Sequence, residues 1–252
     1  MKKTVFITGA NAGIGAACAS LFAKEGYRVL LAARRIDRLE ELAGNLEQQH
    51  DAEVHCVALD VRDHEAVRQT FENLPTEWAQ IDILINNAGL SQGLDPIHTG
   101  DIGDWDRMID TNLKGLLYVT RTVVPGMIKR GVGHIINIGS IAGKEGYPNG
   151  NVYCATKHAV DALTKGMRID LLTHGIKVTA IHPGMVETEF SIVRFSGDTE
   201  RAKAVYHNLE PLLAEDIAEA VWFAVSRPAH VNVNDMLIMP TAQANSIQIH
   251  RV

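Results

Sequence analysis

The sequence is poor in cysteine and contains no long apolar run. Its only cysteines are Cys18, Cys56 and Cys154, which are too far apart for a disulfide framework or a paired zinc-ligand motif. No uninterrupted apolar stretch approaches the ~20 residues that a membrane-spanning helix needs. The charged start, Met1–Lys3, leads into an apolar run too short for a signal peptide. These absences predict a cytoplasmic protein in a reducing environment, with no membrane partner and no metal.

An excess of one charge sign is also missing. The chain carries 24 basic and 30 acidic residues, a formal net charge of −6, and the two signs are interspersed. This balance offers no electrostatic reason to expect nucleic acid or an anionic membrane as a partner. With 252 residues, no internal repeat and no linker-like segment, residues 1–252 are predicted to form one domain.

Short apolar runs alternate with longer segments of helical periodicity. The predicted strands are Thr4–Thr8, Arg28–Ala33, Glu53–Ala58, Ile83–Asn86, His134–Ile138, Lys177–His182 and Met236–Met239. The predicted helices are Gly15–Glu25, Arg38–His50, His64–Trp78, Asp104–Arg130, Val152–His174 and Glu215–Val225. Such alternation implies right-handed crossovers, so we expect an α/β fold with a doubly wound, parallel, seven-stranded sheet and helices on both faces.

One segment, residues 185–211, interrupts this alternation. It is long and mixes aromatic, charged and glycine residues. Long segments of this kind inside compact domains often cover a site, so we predict a substrate lid. The alternative is a surface excursion with a helix of its own.

A glycine-rich turn follows the first predicted strand and opens a helix. It runs from Thr8 to Gly15 with the pattern TGANAGIG. Glycines permit a tight turn and close approach of the backbone to phosphate, and the helix N-terminus supplies free N–H donors. This is the position of the dinucleotide-binding turn in a Rossmann fold. Glycines also end strands for steric reasons alone, but the flanking strand and helix favour nucleotide binding.

The second predicted strand ends in Arg34 and Arg35, where an NAD site usually carries an acid. Guanidinium groups pair with phosphate through two hydrogen bonds, so the two arginines favour the 2′-phosphate of NADP. The alternative is a pair of solvated arginines with Asp37 and Glu40–Glu41 as local partners.

Two further segments follow predicted strands. Asp60 and Val61 follow the third strand, and Asn86–Gly89 closes the fourth. Each is weak by itself, because Asn and Gly commonly form turns. Since ligands bind at the carboxyl ends of strands in open sheets, we expect both segments at the cofactor.

Ser140 ends a buried strand, and Tyr153 and Lys157 lie one helical turn apart on the next helix. A hydroxyl, a phenol and an ammonium group meeting at one strand end form a proton-transfer site. The spacing alone would more often mean a packed ring beside a lysine stem. The three residues follow the glycine-rich turn in the chain, and this order favours a catalytic role over simple packing. An ammonium group about 4 Å away, at an effective dielectric of about 20, lowers the pKa of a phenol by about 3 units. We therefore expect Lys157 to lower the pKa of Tyr153.

The sequence resembles the short-chain dehydrogenase/reductase family along almost its whole length. The matching motifs are TGxxxGxG at Thr8–Gly15, NNAG at Asn86–Gly89, Asn112, Ser140, YxxxK at Tyr153–Lys157, Pro183–Gly184 and Thr188. The resemblance implies that Tyr153 is the acid/base, that Ser140 orients the substrate oxygen and that Lys157 also holds the nicotinamide ribose. It further implies that Asn112 positions a water and that the protein is a homotetramer.

Residues predicted to contact NADP are drawn from these motifs. They are Gly9, Asn11, Ala12, Gly13, Ile14, Gly15, Arg34, Arg35, Asp60, Val61, Asn87, Ala88, Gly89, Tyr153, Lys157, Pro183, Gly184, Val186 and Thr188. Catalytic roles are assigned to Ser140, Tyr153, Lys157 and Asn112, and substrate contacts to Ser140, Tyr153 and Arg194.

Within the family, Gly150–Tyr153, Thr188–Phe195 and Pro228–Asn234 resemble the NADP-dependent 3-hydroxy acid (serine or allo-threonine) dehydrogenases. The implied reaction interconverts small 3-hydroxy acids and 3-oxo acids or semialdehydes. A small acid needs a cation near Ser140, and Arg194 and Lys144 are candidates. The alternatives are a broad NADPH carbonyl reductase and a non-catalytic NADP-binding sensor, although a sensor has little use for an intact tyrosine and lysine.

Overall fold

A computed structural model describes residues 2–251 of the chain. Its centre is a seven-stranded, all-parallel sheet with the strand order β3-β2-β1-β4-β5-β6-β7. The strands are β1 (Thr4–Thr8), β2 (Arg28–Ala33), β3 (Val54–Ala58), β4 (Ile83–Asn86), β5 (Gly133–Ile138), β6 (Ile176–Pro183) and β7 (Asp235–Ile238). The predicted sheet is confirmed.

Helices cover both faces of the sheet. They are α1 (Gly13–Lys24), α2 (Ile36–His50), α3 (His64–Glu72), α4 (Ile102–Ile109), α5 (Leu116–Arg130), α6 (Asn151–Asp170), α7 (Phe190–Arg194), α8 (Thr199–Ala204) and α9 (Ala214–Val225). A π-helical segment, Asp110–Gly115, joins α4 to α5 without a break. In the described part of the chain, no helix is both long and apolar enough to cross a membrane.

Alternation along the central strand divides the core into two layers. Val5 and Ile7 on β1 pack in the layer that holds residues of α1, α2 and α9. Phe6, between them, packs in the opposite layer with residues of α3 and α5. Because β1 is buried on both faces, it is apolar at successive positions, as expected of a strand inside a doubly wound sheet.

The strand order reverses between β1 and β4. Connections from β1 run outward to β2 and β3, whereas those from β4 run outward to β5, β6 and β7. Loops at the carboxyl ends of β1 and β4 therefore diverge and leave a crevice, which is where open α/β sheets bind ligands.

Several helix boundaries differ from the prediction. The predicted helix Asp104–Arg130 begins earlier, at Ile102, and contains the π-helical segment. The predicted helices His64–Trp78 and Val152–His174 are shorter, because a 3-10 turn replaces the last residues of each. Segment 185–211 contains two short helices, α7 and α8.

Candidate active site

A cavity of about 290 Å³ lies at the carboxyl ends of the central strands. Its lining includes almost every residue predicted to contact the cofactor, together with Ser140, Tyr153 and Lys157. Three predicted site residues, Gly15, Asn112 and Arg194, are not part of this lining. One continuous cavity therefore joins the nucleotide turn to the proposed proton-transfer groups.

Two glycines let the turn after β1 pack against the end of β4. Gly9 has a φ of 64°, and a Cβ there would lie 2.9 Å from the Cα of Ala88. A Cβ on Gly15 would lie 2.5 Å from the carbonyl oxygen of Gly9 and 2.6 Å from Nδ2 of Asn87. Gly15 thus packs against the turn and against Asn87, and it does not line the cavity.

Thr8, which the motif contained but the site prediction left out, ties this turn to β4. Its hydroxyl oxygen accepts from the backbone N–H of Asn87 (3.1 Å) and of Ala88 (3.0 Å). The side chain of Asn87 returns a hydrogen bond of 2.9 Å to the carbonyl of Thr8. A threonine opening a glycine turn is a signal that sequence reasoning could have used.

The N-terminus of α1 suits an anionic ligand. Its N-cap residue, Ala12, has no side chain that could accept from the first N–H groups, and Gly13 and Ile14 line the cavity. At Gly13, with a φ of 53°, a Cβ would lie 3.1 Å from Cγ2 of Thr188. Uncapped N–H donors beside glycine are the groups that hold a dinucleotide pyrophosphate, so the chain fits the predicted cofactor here.

Arg34 and Arg35 both line the cavity at the end of β2. The partner of Arg35 is not one of the local acids that the alternative interpretation named. Its Nη2 lies 3.3 Å from Oε2 of Glu189. The other oxygen of that carboxylate, Oε1, lies 2.7 Å from Nη1 of Arg38. Arg38 and Glu189 had no place in the predicted site, although Arg38 lies only one helical turn beyond Arg35.

Asp60 is held by its neighbour Arg62 through a two-pronged contact, with 3.0 Å from Nε to Oδ1 and 2.6 Å from Nη2 to Oδ2. This hydrogen bonding lowers the pKa of Asp60. The carboxylate is therefore ionised and fixed at the cavity wall, next to Val61, which also lines it.

The loop after β6 supplies Pro183, Gly184, Val186 and Thr188 to the other end of the cavity. A Cβ on Gly184 would lie 2.6 Å from Oε1 of Gln243, so only glycine fits. The Thr188 hydroxyl accepts a hydrogen bond from the backbone N–H of Phe190 (3.3 Å). That bond leaves the hydroxyl proton for another acceptor.

Three predicted catalytic side chains converge next to this loop. Ser140 follows β5, and its Oγ accepts from the N–H of Ala142 at 3.1 Å. Tyr153 and Lys157 come from the first turns of α6, with the ammonium nitrogen 5.9 Å from the phenol ring centroid. Nζ of Lys157 donates to the carbonyl of Ile138 at 2.9 Å.

Burial dominates the electrostatics of this group. It raises the pKa of Tyr153, as does neighbouring Tyr147, whereas Arg194 and the hydroxyl of Ser140 lower it. Burial also lowers the pKa of Lys157 to about 8. The sequence predicted Lys157 as the cation acting on the phenol, but Arg194 lies closer, 5.4 Å from the Tyr153 ring centroid.

Asn112 lies in the π-helical segment, and its side chain bridges two elements. Its Nδ2 donates to the carbonyl of Leu90 (2.8 Å) and to Oγ1 of Thr156 (3.0 Å), while its Oδ1 accepts from the N–H of Leu90 (2.8 Å). A Cβ on Gly89 would lie 3.2 Å from Oδ1 of Asn112 and 3.6 Å from Nζ of Lys157. Asn112 thus lies beside Lys157 and joins α6 to the segment after β4.

Arg194, on α7, lies beside Tyr153, outside the cavity lining. Its Nε donates to Oγ of Ser91 (3.0 Å) and its Nη2 to the hydroxyl of Tyr147 (2.5 Å). Lys144, the other candidate anchor, is wrong. Lys144 does not line the cavity, and its ammonium group binds Asp161 (2.8 Å) and Asp235 (2.7 Å).

Comparison with known proteins agrees with this geometry. The family model of the short chain dehydrogenases matches residues 3–198. The chain belongs to the short-chain dehydrogenase family, and it is an oxidoreductase that acts on CH–OH groups.

Within the family, the chain is similar over nearly its whole length to several dehydrogenases and reductases. The NADP-dependent 3-hydroxy acid dehydrogenase YdfG of Escherichia coli strain K12 is 46% identical over 249 residues, which are 98% of this chain and 99% of that protein. Sulfoacetaldehyde reductase 2 of Chromohalobacter salexigens is 45% identical over 245 residues, 97% of this chain and 96% of the relative. The closed form of a serine dehydrogenase with NADP+ superposes with a TM-score of 0.92 at 45% identity, covering 99% of this chain and 100% of the other.

Proposed function

We propose that this protein interconverts small 3-hydroxy acids and the corresponding 3-oxo acids or semialdehydes, with NADP as its cofactor. The observation that carries the proposal is the position of the Arg194 guanidinium, 5.4 Å from the ring of the proposed acid/base Tyr153. A fixed cation at this distance suits a substrate whose carboxylate lies one or two carbons from the reacting hydroxyl. The dehydrogenase relatives support the same reaction.

NADP fits the residues that line the cavity. Arg34 and Arg35 would hold the 2′-phosphate, and the uncapped start of α1 would hold the pyrophosphate. When bound, the cofactor supplies the hydride chemistry. The other steps belong to the chain's own side chains.

Tyr153 would move the proton. Since burial raises its pKa, the phenol is protonated at neutral pH and can donate to a carbonyl oxygen that is being reduced. Ser140 would orient that oxygen and hold its developing charge, because its hydroxyl lies beside the phenol. Lys157, which donates to the carbonyl of Ile138, would fix the cofactor ribose and the floor of the site.

Arg194 would bind the substrate carboxylate. Its partners Ser91 and Tyr147 are neutral hydroxyls, so the guanidinium keeps its positive charge for an anion. Replacing Arg194 by Gln should raise KM for 3-hydroxypropionate and serine at least tenfold while leaving the affinity for NADPH unchanged. An unchanged KM would refute this role.

A second candidate substrate is a sulfonate analogue of the same size. A guanidinium binds a sulfonate as well as a carboxylate, and one relative is named a sulfoacetaldehyde reductase. We would assay serine, allo-threonine, 3-hydroxypropionate, malonic semialdehyde, sulfoacetaldehyde and an aromatic ketone with NADP(H). Preference for the ketone would instead favour the broad carbonyl reductase. NADP(H) binding without any turnover would indicate a sensor.

Segment 185–211 would act as a lid, since it carries Phe190 and Arg194 to the site. A homotetramer is supported by large apolar side chains exposed on α4, α5 and α6, including Ile102, Leu117 and Ile169, and light scattering would test it. A cytoplasmic location stays a prediction.

A further inference from the structure

Glu189 connects the lid segment to the arginines at the 2′-phosphate end of the site. Its carboxylate lies 3.3 Å from Nη2 of Arg35 and contacts Nη1 of Arg38 through both oxygens, at 2.7 and 3.0 Å. These contacts cross more than 150 positions of the chain. The side chains are between 40% and 48% exposed, so neither ion pair is needed to fill the core.

Two of these side chains lie where a phosphate would need them, and Arg38 adjoins them through its contact with Glu189. Arg35 and Glu189 both line the cavity, and the guanidinium of Arg35 also lies against the side-chain amide of Asn11 in the glycine-rich turn. A carboxylate and a phosphate use the same guanidinium N–H donors. A bound 2′-phosphate and the Glu189 carboxylate therefore compete for the same arginines, and they repel each other.

We propose that Glu189 is an intramolecular competitor of the cofactor's 2′-phosphate. This competition weakens the binding of NADP(H) and leaves the affinity for NAD(H) unchanged. This inference rests on the proposed cofactor. It adds Arg38 to the residues that hold the phosphate and gives the lid a direct link to the adenosine end of the cofactor.

The link has a structural consequence. Glu189 immediately precedes α7, whose first residue, Phe190, packs at 5.7 Å from the ring of Tyr153. Arg194 lies at the other end of the same helix. When a phosphate replaces the Glu189 carboxylate on the arginines, Glu189 would be released. The start of α7, next to the substrate end of the site, would then lose this anchor.

The test is cofactor binding measured by protein fluorescence with NADPH and NADH, without substrate. In Glu189→Gln the shape is kept and the charge is removed, so the Kd for NADPH should fall about three- to tenfold, while the Kd for NADH changes less than twofold. The difference should shrink at high ionic strength, because the groups are exposed. The matched control is Glu187→Gln, which removes the same charge two residues earlier; within residues 2–251 its carboxylate forms no ion pair.

A double-mutant cycle separates competition from other roles. In an Arg35→Gln/Arg38→Gln background, adding Glu189→Gln should improve NADPH binding by less than twofold, because the arginines that Glu189 shares with the phosphate are gone and only a screened charge repulsion remains. Weaker NADPH binding by Glu189→Gln alone would mean that the carboxylate orients the arginines, and would overturn the proposal. An equal change for both cofactors would also overturn it, as would a gain of undiminished size in the background without Arg35 and Arg38. If the wild-type protein showed no preference for NADPH over NADH, the proposed cofactor itself would fail, which is a separate result.

Discussion

Nδ1 of His182 lies 3.2 Å from the carbonyl oxygen of Ser140, and Nε2 of the same ring lies 3.1 Å from Oδ2 of Asp235. The imidazole is fully buried against Gly139, where a Cβ would lie 2.4 Å from Nδ1. Asp235 is joined through Lys144 to Asp161 on α6. A chain of polar contacts thus connects the peptide that carries Ser140 to the helix that carries Tyr153.

This network predicts a positioning role for His182. His182→Ala removes the support behind the Gly139–Ser140 peptide, so we expect kcat to fall about tenfold through misplacement of the Ser140 hydroxyl. NADPH affinity should change less than twofold, because the residues proposed to bind the phosphates lie elsewhere. The matched control is Lys165→Gln, which removes an outer partner of Asp161 and should leave kcat unchanged. Steady-state kinetics and NADPH titration would measure both, and wild-type kcat in His182→Ala would contradict the prediction.

Tyr153→Phe removes the proposed acid/base and little else. The ring is buried, so phenylalanine keeps the packing against Phe190. We expect kcat to fall by about two to four orders of magnitude, the usual contribution of a positioned proton donor, with NADPH binding intact. Tyr147→Phe is the comparison: it removes a hydroxyl that binds Arg194, and should raise KM for an acidic substrate more than it lowers kcat. Near-normal turnover of Tyr153→Phe would exclude the role.

The two reaction directions should respond differently to pH. Since burial raises the pKa of Tyr153, the phenolate required for alcohol oxidation is scarce at neutral pH. The oxidation rate should therefore rise with pH, by up to about tenfold per unit while the pH remains below the pKa of the phenol. Ketone reduction uses the protonated phenol and should stay nearly flat over the same range.

Arg194 should shift that profile. Its positive charge lowers the pKa of Tyr153, so Arg194→Gln should move the rising limb of kcat for oxidation to higher pH. Arg201→Gln, an exposed arginine on α8 of the same segment, should leave the limb in place. A limb that does not move in Arg194→Gln would show that the guanidinium does not act on the phenol.

Two glycines with opposite surroundings offer a stability test of the nucleotide turn. Gly15→Ala would place a methyl group 2.5 Å from the carbonyl of Gly9, so it should destabilise the fold by more than 1 kcal/mol and weaken cofactor binding. Gly44→Ala, inside α2 with no heavy atom within 4 Å of its Cβ, should stabilise the protein by about 0.5–1 kcal/mol. Denaturant unfolding with and without NADPH would measure both. Equal stabilities would contradict the close approach of the turn to β4.

Much of the fold could be read from local pattern. The bounds of β1, β2 and β4 agree with their apolar runs, because a strand buried on both faces must be apolar throughout and end where turn residues begin. For segment 185–211 the sequence left open a helix as an alternative, but it did not predict the two helices α7 and α8 or their bounds. At five and six residues they are too short for a helical period to appear, and their formation depends on packing over the site.

For the site, too, the local sequence predicted some features and not others. Spacing was sufficient to place Ser140, Tyr153 and Lys157 together, since a strand end and one helical turn determine their geometry. Spacing could not show that Lys144 is held by Asp161 and Asp235 instead of by substrate.

The sequence by itself determined the seven-stranded alternation, the glycine turn, the arginines at the end of β2 and the order of the proposed proton-transfer groups. These are properties of neighbouring residues, encoded by period, turn chemistry and spacing. Only the tertiary structure decided that Glu189 pairs with Arg35 and Arg38, that His182 supports Ser140 and that Arg194 lies over Tyr153. Each of these contacts joins residues more than 40 positions apart, and such pairing is set by how the elements pack together.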